Sequence, residues 1–353
     1  MDILGLSLIK QEDGQMRRVQ IHLGGPKCAS TSIQSALAKE KKIAYIGFRP
    51  DLAPINWFKN KSFQRLLDLD LKYSSRDHFN NELPKYRKLI LEFKDENRAR
   101  DIWISSENLI SRFTLEELDV SEKLQRVSQV FEGVPIELHI LFRTYESAIR
   151  SMYYEYVTRK YNRSLSHFLT ELDEFMTMGI IDHMLPAKII RNIQYGMNEN
   201  ANFNINFYLP ENGLVKKELP CIERMSEYCK VNLNLQKINA SDYDFDKMVM
   251  LNRSYYNEKN LHNFMELHRY KLAKYRTISD DDLKERKIRR SIMESVGPAD
   301  INIQLINSQI RRSSFFQNII LKEHKEFMSM LNHCTRSIKM FGSPDALLNT
   351  ISN

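Results

Sequence analysis

Two short β-rich runs in this chain, residues 19–23 (VQIHL) and 136–142 (IELHILF), break directly into amphipathic helical patterns. No other feature limits the fold as tightly. Strands that feed helices need crossover connections, and crossovers build a parallel sheet with helices on both faces. The second run is apolar almost throughout, as a strand buried on both faces should be. β-rich stretches at 43–46, 101–105 and 201–209, with helical patterns at 31–40, 121–132 and 144–160, extend the alternation. Residues 57–97 read as mainly helical, interrupted at 72–76 and at Pro84. From 211 onward the pattern is mostly helical, with one long apolar-faced helix over 315–341 that suits core or a subunit contact. The expected fold is therefore α/β, a parallel sheet flanked by helices, with a largely helical C-terminal part.

Both runs end in chemistry. The first stops at Gly24, Gly25 and Pro26, followed by Lys27, Cys28, Ala29 and a hydroxyl-rich patch of Ser30, Thr31 and Ser32 that opens the helix. A strand, a tight turn and a helix N-terminus make an anion cradle: unpaired N–H groups of the first turn point at the anion and the helix dipole adds positive potential. Lys27 adds a full charge, and Cys28 is a small side chain that leaves its N–H free. The nucleotide triphosphatase pattern G-x-x-x-x-G-K-[ST] does not fit, because Lys27 comes early and three residues separate it from Thr31. The second run ends at Arg143, and Ser151 follows eight residues later, two turns into a helix. A guanidinium fork suits bidentate phosphate binding. Each motif alone also fits a plain strand–turn–helix with a capping serine, or a helix-initiating arginine with an incidental serine. The two together, in this order, are more specific.

The pair resembles the donor site of sulfotransferases. Their 5′-phosphosulfate loop is written P-K-x-G-T-T; here it reads Pro26-Lys27-Cys28-Ala29-Ser30-Thr31, with Ala29 in place of glycine and Ser30 in place of threonine. In that family an arginine at a strand end and a serine at about this spacing grip the donor's 3′-phosphate. Residues 22–34, 102–107 (IWISSE) and 331–342 (LNHCTRSIKMFG) are similar to the bacterial surface-polysaccharide branch. The likeness is good over 19–160 and faint at 200–260 and 330–342. It implies a P-loop-type sheet in a single domain, 1–353, with the donor site in an α/β core at 19–210 and a helical extension at 211–353 on the acceptor side or in an oligomer contact. It implies transfer of a sulfuryl group from 3′-phosphoadenosine 5′-phosphosulfate to a carbohydrate hydroxyl on a surface polysaccharide or glycolipid. Adenosine 3′,5′-bisphosphate leaves as product, and no metal takes part.

Under this resemblance Gly25, Pro26, Lys27, Cys28, Ala29, Ser30, Thr31, Ser32, Arg143 and Ser151 bind the donor. Lys27 stabilises the leaving oxygen. Glu107, just past a strand end, and His22, inside the first strand, are the other catalytic candidates. Each has a plainer alternative: Glu107 as an acidic residue of a first helical turn, His22 as a hydrogen-bonded core histidine. His139, on an apolar strand, reads as structural. Asn56 stands where relatives tend to carry a histidine, which leaves the base open. A P-loop kinase-like phosphotransferase and a nucleotide-binding relative without turnover are the alternatives.

Composition agrees with an anionic donor and acceptor: the net charge is +7 and the pI about 9.0. Nucleic acid is a poor fit, for there is no zinc-finger spacing, recognition motif or arginine-rich tail. Four cysteines without a C-x-x-C pair make neither a disulfide scaffold nor a zinc knuckle. The basic run at 280–290 reads as a solvated helix face, or as a patch that meets an anionic glycan or a lipid headgroup at the membrane surface. No stretch approaches the ~20 apolar residues of a transmembrane helix. Residues 3–9 are too short and lack a basic leader, so the expectation is a soluble, cytoplasmic protein of the bacterial type.

Overall fold

The computed structural model describes residues 18–24, 30–47, 60–106, 109–112, 116–158, 161, 163–197, 202–210, 225–227, 229, 247, 249–252, 287, 302–333 and 338–348. Six parallel strands form one sheet in the order β2-β3-β1-β4-β5-β6. They are β1 (Val19–His22), β2 (Ile43–Gly47), β3 (Asp101–Ser105), β4 (Ile136–Leu141), β5 (Phe203–Tyr208) and β6 (Ile338–Phe341). Helices occupy the crossovers: α1 (Ser30–Lys39), α2 (Lys61–Arg65) running into a π turn at Leu66–Asp70, α3 (Arg76–Glu96), α4 (Val120–Val130), α5 (Tyr145–Val157), α6 (Leu165–Thr177) and α7 (Pro186–Gly196). Two more, α8 (Ile303–Arg312) and α9 (Leu321–His333), precede β6. The architecture is α/β, as the strand–helix alternation requires.

Three segments differ from the sequence reading. Pro84 sits inside α3 without breaking it. Its ring faces solvent, where water can satisfy the carbonyl one turn earlier that has lost its donor. The helix expected over 315–341 ends at His333, and residues 338–341 form the parallel edge strand β6. Helices α6 and α7 lie between the second motif and β5, in a stretch to which the sequence reading gives no elements. Both carry start signals: the Ser164 hydroxyl accepts from His167 N–H, and Pro186 opens α7.

Register partners share a face of the sheet, and the two faces differ in chemistry. One is wholly apolar, built from Val19, Ile21, Ile46, Ile104, Ile136, Leu138, Ile140, Ile205 and Phe207, all buried. Buried residues of α3, α4, α7 and α9 join it in the main core. There α4 and α7 touch closely, since a Cβ on Gly196 would lie 2.8 Å from the Leu124 Cβ. The opposite face carries Gln20, His22, Trp103, Ser105, Glu137, His139, Asn206 and Tyr208. Ile33 and Leu37 of α1, with Met225, cover part of it in a smaller core.

Candidate functional site

The winding direction reverses between β1 and β4. From β1 the chain moves outward past β3 to β2; from β4 it moves the other way, to β5 and then β6. In open parallel sheets ligands bind outside the carboxyl ends of the strands at such a point. Both sequence motifs flank it. His22 is paired with His139, and Leu23 N–H donates to the His139 carbonyl at 2.9 Å. Beyond this pair the described chain runs to Gly24 on one side and to Arg143 on the other.

The structure brings Arg143 and Ser151 together. Phe142 N–H donates to the Tyr208 carbonyl, which extends the β4–β5 ladder by one residue. The Thr144 hydroxyl caps α5 by accepting from Ser147 N–H at 3.3 Å. Arg143 is thus held between a strand end and a capped helix, and its Nη1 donates to Ser151 Oγ at 3.4 Å. On the β1 side, α1 begins at Ser30, so Ser30, Thr31 and Ser32 form its first turn. Gly25, Pro26, Lys27, Cys28, Ala29, Glu107 and Asn56 lie outside the described residues.

His22 and His139 are both fully buried and adjacent. The His22 Nδ1 meets Ser105 Oγ at 2.8 Å, and its Nε2 has no hydrogen-bond partner among the described residues. Burial first, and then the neighbouring His139, lower its pKa to about 3, so the ring is neutral. His139, unlike His22, has partners on both ring nitrogens among the described residues. The Gln20 amide oxygen accepts from its Nε2 at 2.6 Å, which leaves Nδ1 to accept from the Tyr208 hydroxyl at 2.9 Å. Its ring stacks between Trp103 and Tyr208, and burial lowers its pKa to about 4. Cys229 Sγ lies 3.9 Å from both the Tyr208 hydroxyl and His139 Nδ1. Burial pushes this thiol up to about 12, which disfavours the thiolate.

Sequence reasoning missed the polar frame around these strand ends. Between β3 and α4, buried Lys123 donates to the Ser111 carbonyl at 2.7 Å and to Glu117 at 3.1 Å, and Tyr73 donates to Glu117 at 2.6 Å. Burial lowers the Lys123 pKa to about 8. On the Arg143 side, α8 crosses α5. Glu146, fully buried, faces Arg311 Nε at 3.3 Å, and Arg150 donates to the Asn307 side chain. Tyr145 donates to Glu323 of α9 at 2.7 Å, and the same carboxylate accepts from Ala187 N–H at 2.6 Å, capping α7 from outside its own helix. Burial raises both Glu146 and Glu323 to about 7. The only sequence signal was a charged residue inside an apolar helical stripe.

Among the described residues no group of three or more His, Cys, Asp or Glu side chains is arranged to hold a metal ion. Among those residues, no helix is long and apolar enough to cross a membrane. No protein-family model matches the chain, and no curated protein matches it.

Proposed function

We propose that the protein is a sulfotransferase that moves a sulfuryl group from 3′-phosphoadenosine 5′-phosphosulfate to a carbohydrate hydroxyl. The observation that carries this reading is the Arg143–Ser151 contact at the carboxyl end of β4, beside the strand that leads into Pro26-Lys27. Two anion-binding motifs on either side of one switch point suit a ligand with phosphate at both ends. The strand order is compatible with a P-loop-type sheet, with α1 following the anion loop.

In this reading Arg143 and Ser151 hold the 3′-phosphate. N–H groups of the 25–32 segment, with the Ser30, Thr31 and Ser32 hydroxyls, hold the 5′-phosphosulfate. The acceptor oxygen attacks sulfur as the bond from sulfur to the bridging oxygen breaks. The Lys27 ammonium stabilises the charge that collects on that oxygen, and Glu107 takes the acceptor proton. No metal is needed, because Lys27 and the helix N-terminus supply the positive potential. A cytoplasmic enzyme acting on a surface polysaccharide or a glycolipid at the membrane face agrees with the basic charge of the chain.

The test is a transfer assay with donor carrying labelled sulfate, offered the source organism's own surface polysaccharides and lipid-linked sugars. Label should pass to glycan without added metal, and Lys27→Ala should lower kcat ~10²–10³-fold. Nucleotide binding with no transfer to any glycan would point to a relative without turnover. A magnesium requirement with phosphoryl transfer would point to the kinase-like alternative.

A further inference from the structure

We propose that His22 and Ser105 form a positioning clasp that sets the separation of the two strand ends leading to Lys27 and Glu107. The inference rests on the sulfotransferase reading and adds a role for two residues that do not touch the reacting atoms.

His22 is the last residue of β1 and Ser105 the last of β3, and the two are register partners. Backbone pairing continues one step further, with Ser106 N–H donating to the His22 carbonyl at 3.1 Å. Among the described residues the β1–β3 ladder goes no further. The chain goes on to Lys27, five residues beyond His22, and to Glu107, two beyond Ser105. The 2.8 Å bond from His22 Nδ1 to Ser105 Oγ is the side-chain tie between the two exits. The neighbouring strand is drawn in at the same level, since a Cβ on Gly47 would lie 2.8 Å from the Ser105 carbonyl oxygen.

This pair is costly to bury. Both side chains are essentially inaccessible to solvent, and His22 leaves Nε2 without a partner among the described residues. Burying an imidazole with one nitrogen unsatisfied is unfavourable where an aliphatic side chain would pack freely. A buried polar pair at such a position fits a demand for geometry. In-line transfer makes that demand, because a base and a leaving-group cation must hold fixed positions about one sulfur.

The experiment measures kcat and adenosine 3′,5′-bisphosphate affinity together. Ser105→Ala, which removes one hydroxyl and adds no volume, and His22→Ala should each lower kcat ~10–100-fold. The nucleotide dissociation constant should stay within about threefold, because the clasp acts on the transition state and not on ground-state binding. His22→Asn, whose amide occupies the place of Nδ1, should recover most of kcat with an unchanged pH profile. Wild-type kcat in Ser105→Ala would overturn the clasp. So would His22→Asn behaving like His22→Ala, since Nε2 would then do the work, or nucleotide affinity falling in step with kcat, since the effect would then be general disruption. A wild-type protein that binds no nucleotide would remove the sulfotransferase reading and the clasp with it.

Discussion

The apolar face of the sheet and the polar face opposite it are built on the same six strands, yet they do different work. Every residue on the apolar face could be exchanged for another of its size and kind with only local repacking. The polar face offers no such freedom. His139 needs an acceptor at Gln20 and a donor at Tyr208, and His22 needs Ser105. One face supplies most of the hydrophobic burial; the other adds a smaller core and fixes polar side chains beneath the carboxyl ends of β1 and β4. The fold thus puts its larger apolar core on one side of a single layer and a smaller core with buried hydrogen-bonded polar groups on the other.

The largest effect should come from cutting the apolar face. Leu138 is completely buried at the centre of β4, and Leu138→Ala should lower unfolding free energy by ~2–5 kcal/mol in urea titration. On the polar face, His139→Ala removes one partner each from the Tyr208 hydroxyl and the Gln20 amide oxygen and should cost ~1–3 kcal/mol. It should also perturb the near-ultraviolet signal of Trp103 and Tyr208, against which the ring stacks. Equal losses at the two sites, with no spectroscopic change in the second, would erase the distinction between the faces.

A pH series sharpens the comparison. His22 and His139 have pKa values lowered to about 3 and about 4. The unfolded chain therefore binds protons below the ordinary histidine value that the folded chain does not, and stability falls as pH drops from about 6.5 towards 4. Glu146 and Glu323, raised to about 7, act with the opposite sign. Their contribution is greatest at low pH and is lost as pH rises from about 4.5 to 7. The two pairs oppose each other between those limits. Glu323→Gln should leave the histidine effect less opposed, so the stability of the variant relative to wild type should rise by ~1.4 kcal/mol per pH unit over that range. A parallel pair of curves would refute the carboxyl assignment. Proton-resolved spectra at pH 5 should show two imidazoles still neutral. The smallest effect belongs to neither face: Lys85→Ala breaks an exposed pair with Glu82 and should change stability by less than about 0.5 kcal/mol.

Much of the sheet was legible because its signals are local. An apolar run followed by a turn located β1 and β4 to within a residue, and β-branched residues located β2 and β3. The edge strand β6 was not legible. Ile338 and Met340 continue the apolar spacing of α9, and their pairing with β5 is set by contacts more than a hundred residues away. Pro84 was misleading because its exposure, and not its identity, decides whether a helix survives it. At the site, the resemblance to sulfotransferases pairs Arg143 with Ser151, and the structure puts the two side chains in contact. The supporting frame was not legible. Tyr145 and Glu323 meet across 178 residues, and Arg150 and Asn307 across 157; nothing in either sequence neighbourhood announces the partner.

The central claim is that the Lys27 and Arg143 motifs grip opposite ends of one adenosine nucleotide. Titration calorimetry with adenosine 3′,5′-bisphosphate tests it most directly. The account predicts one site per chain, with affinity reduced at least ~10-fold by Arg143→Ala and again by Lys27→Ala in folded protein. A folded wild-type protein that releases no heat with this nucleotide, or variants that bind it as tightly as wild type, would contradict it.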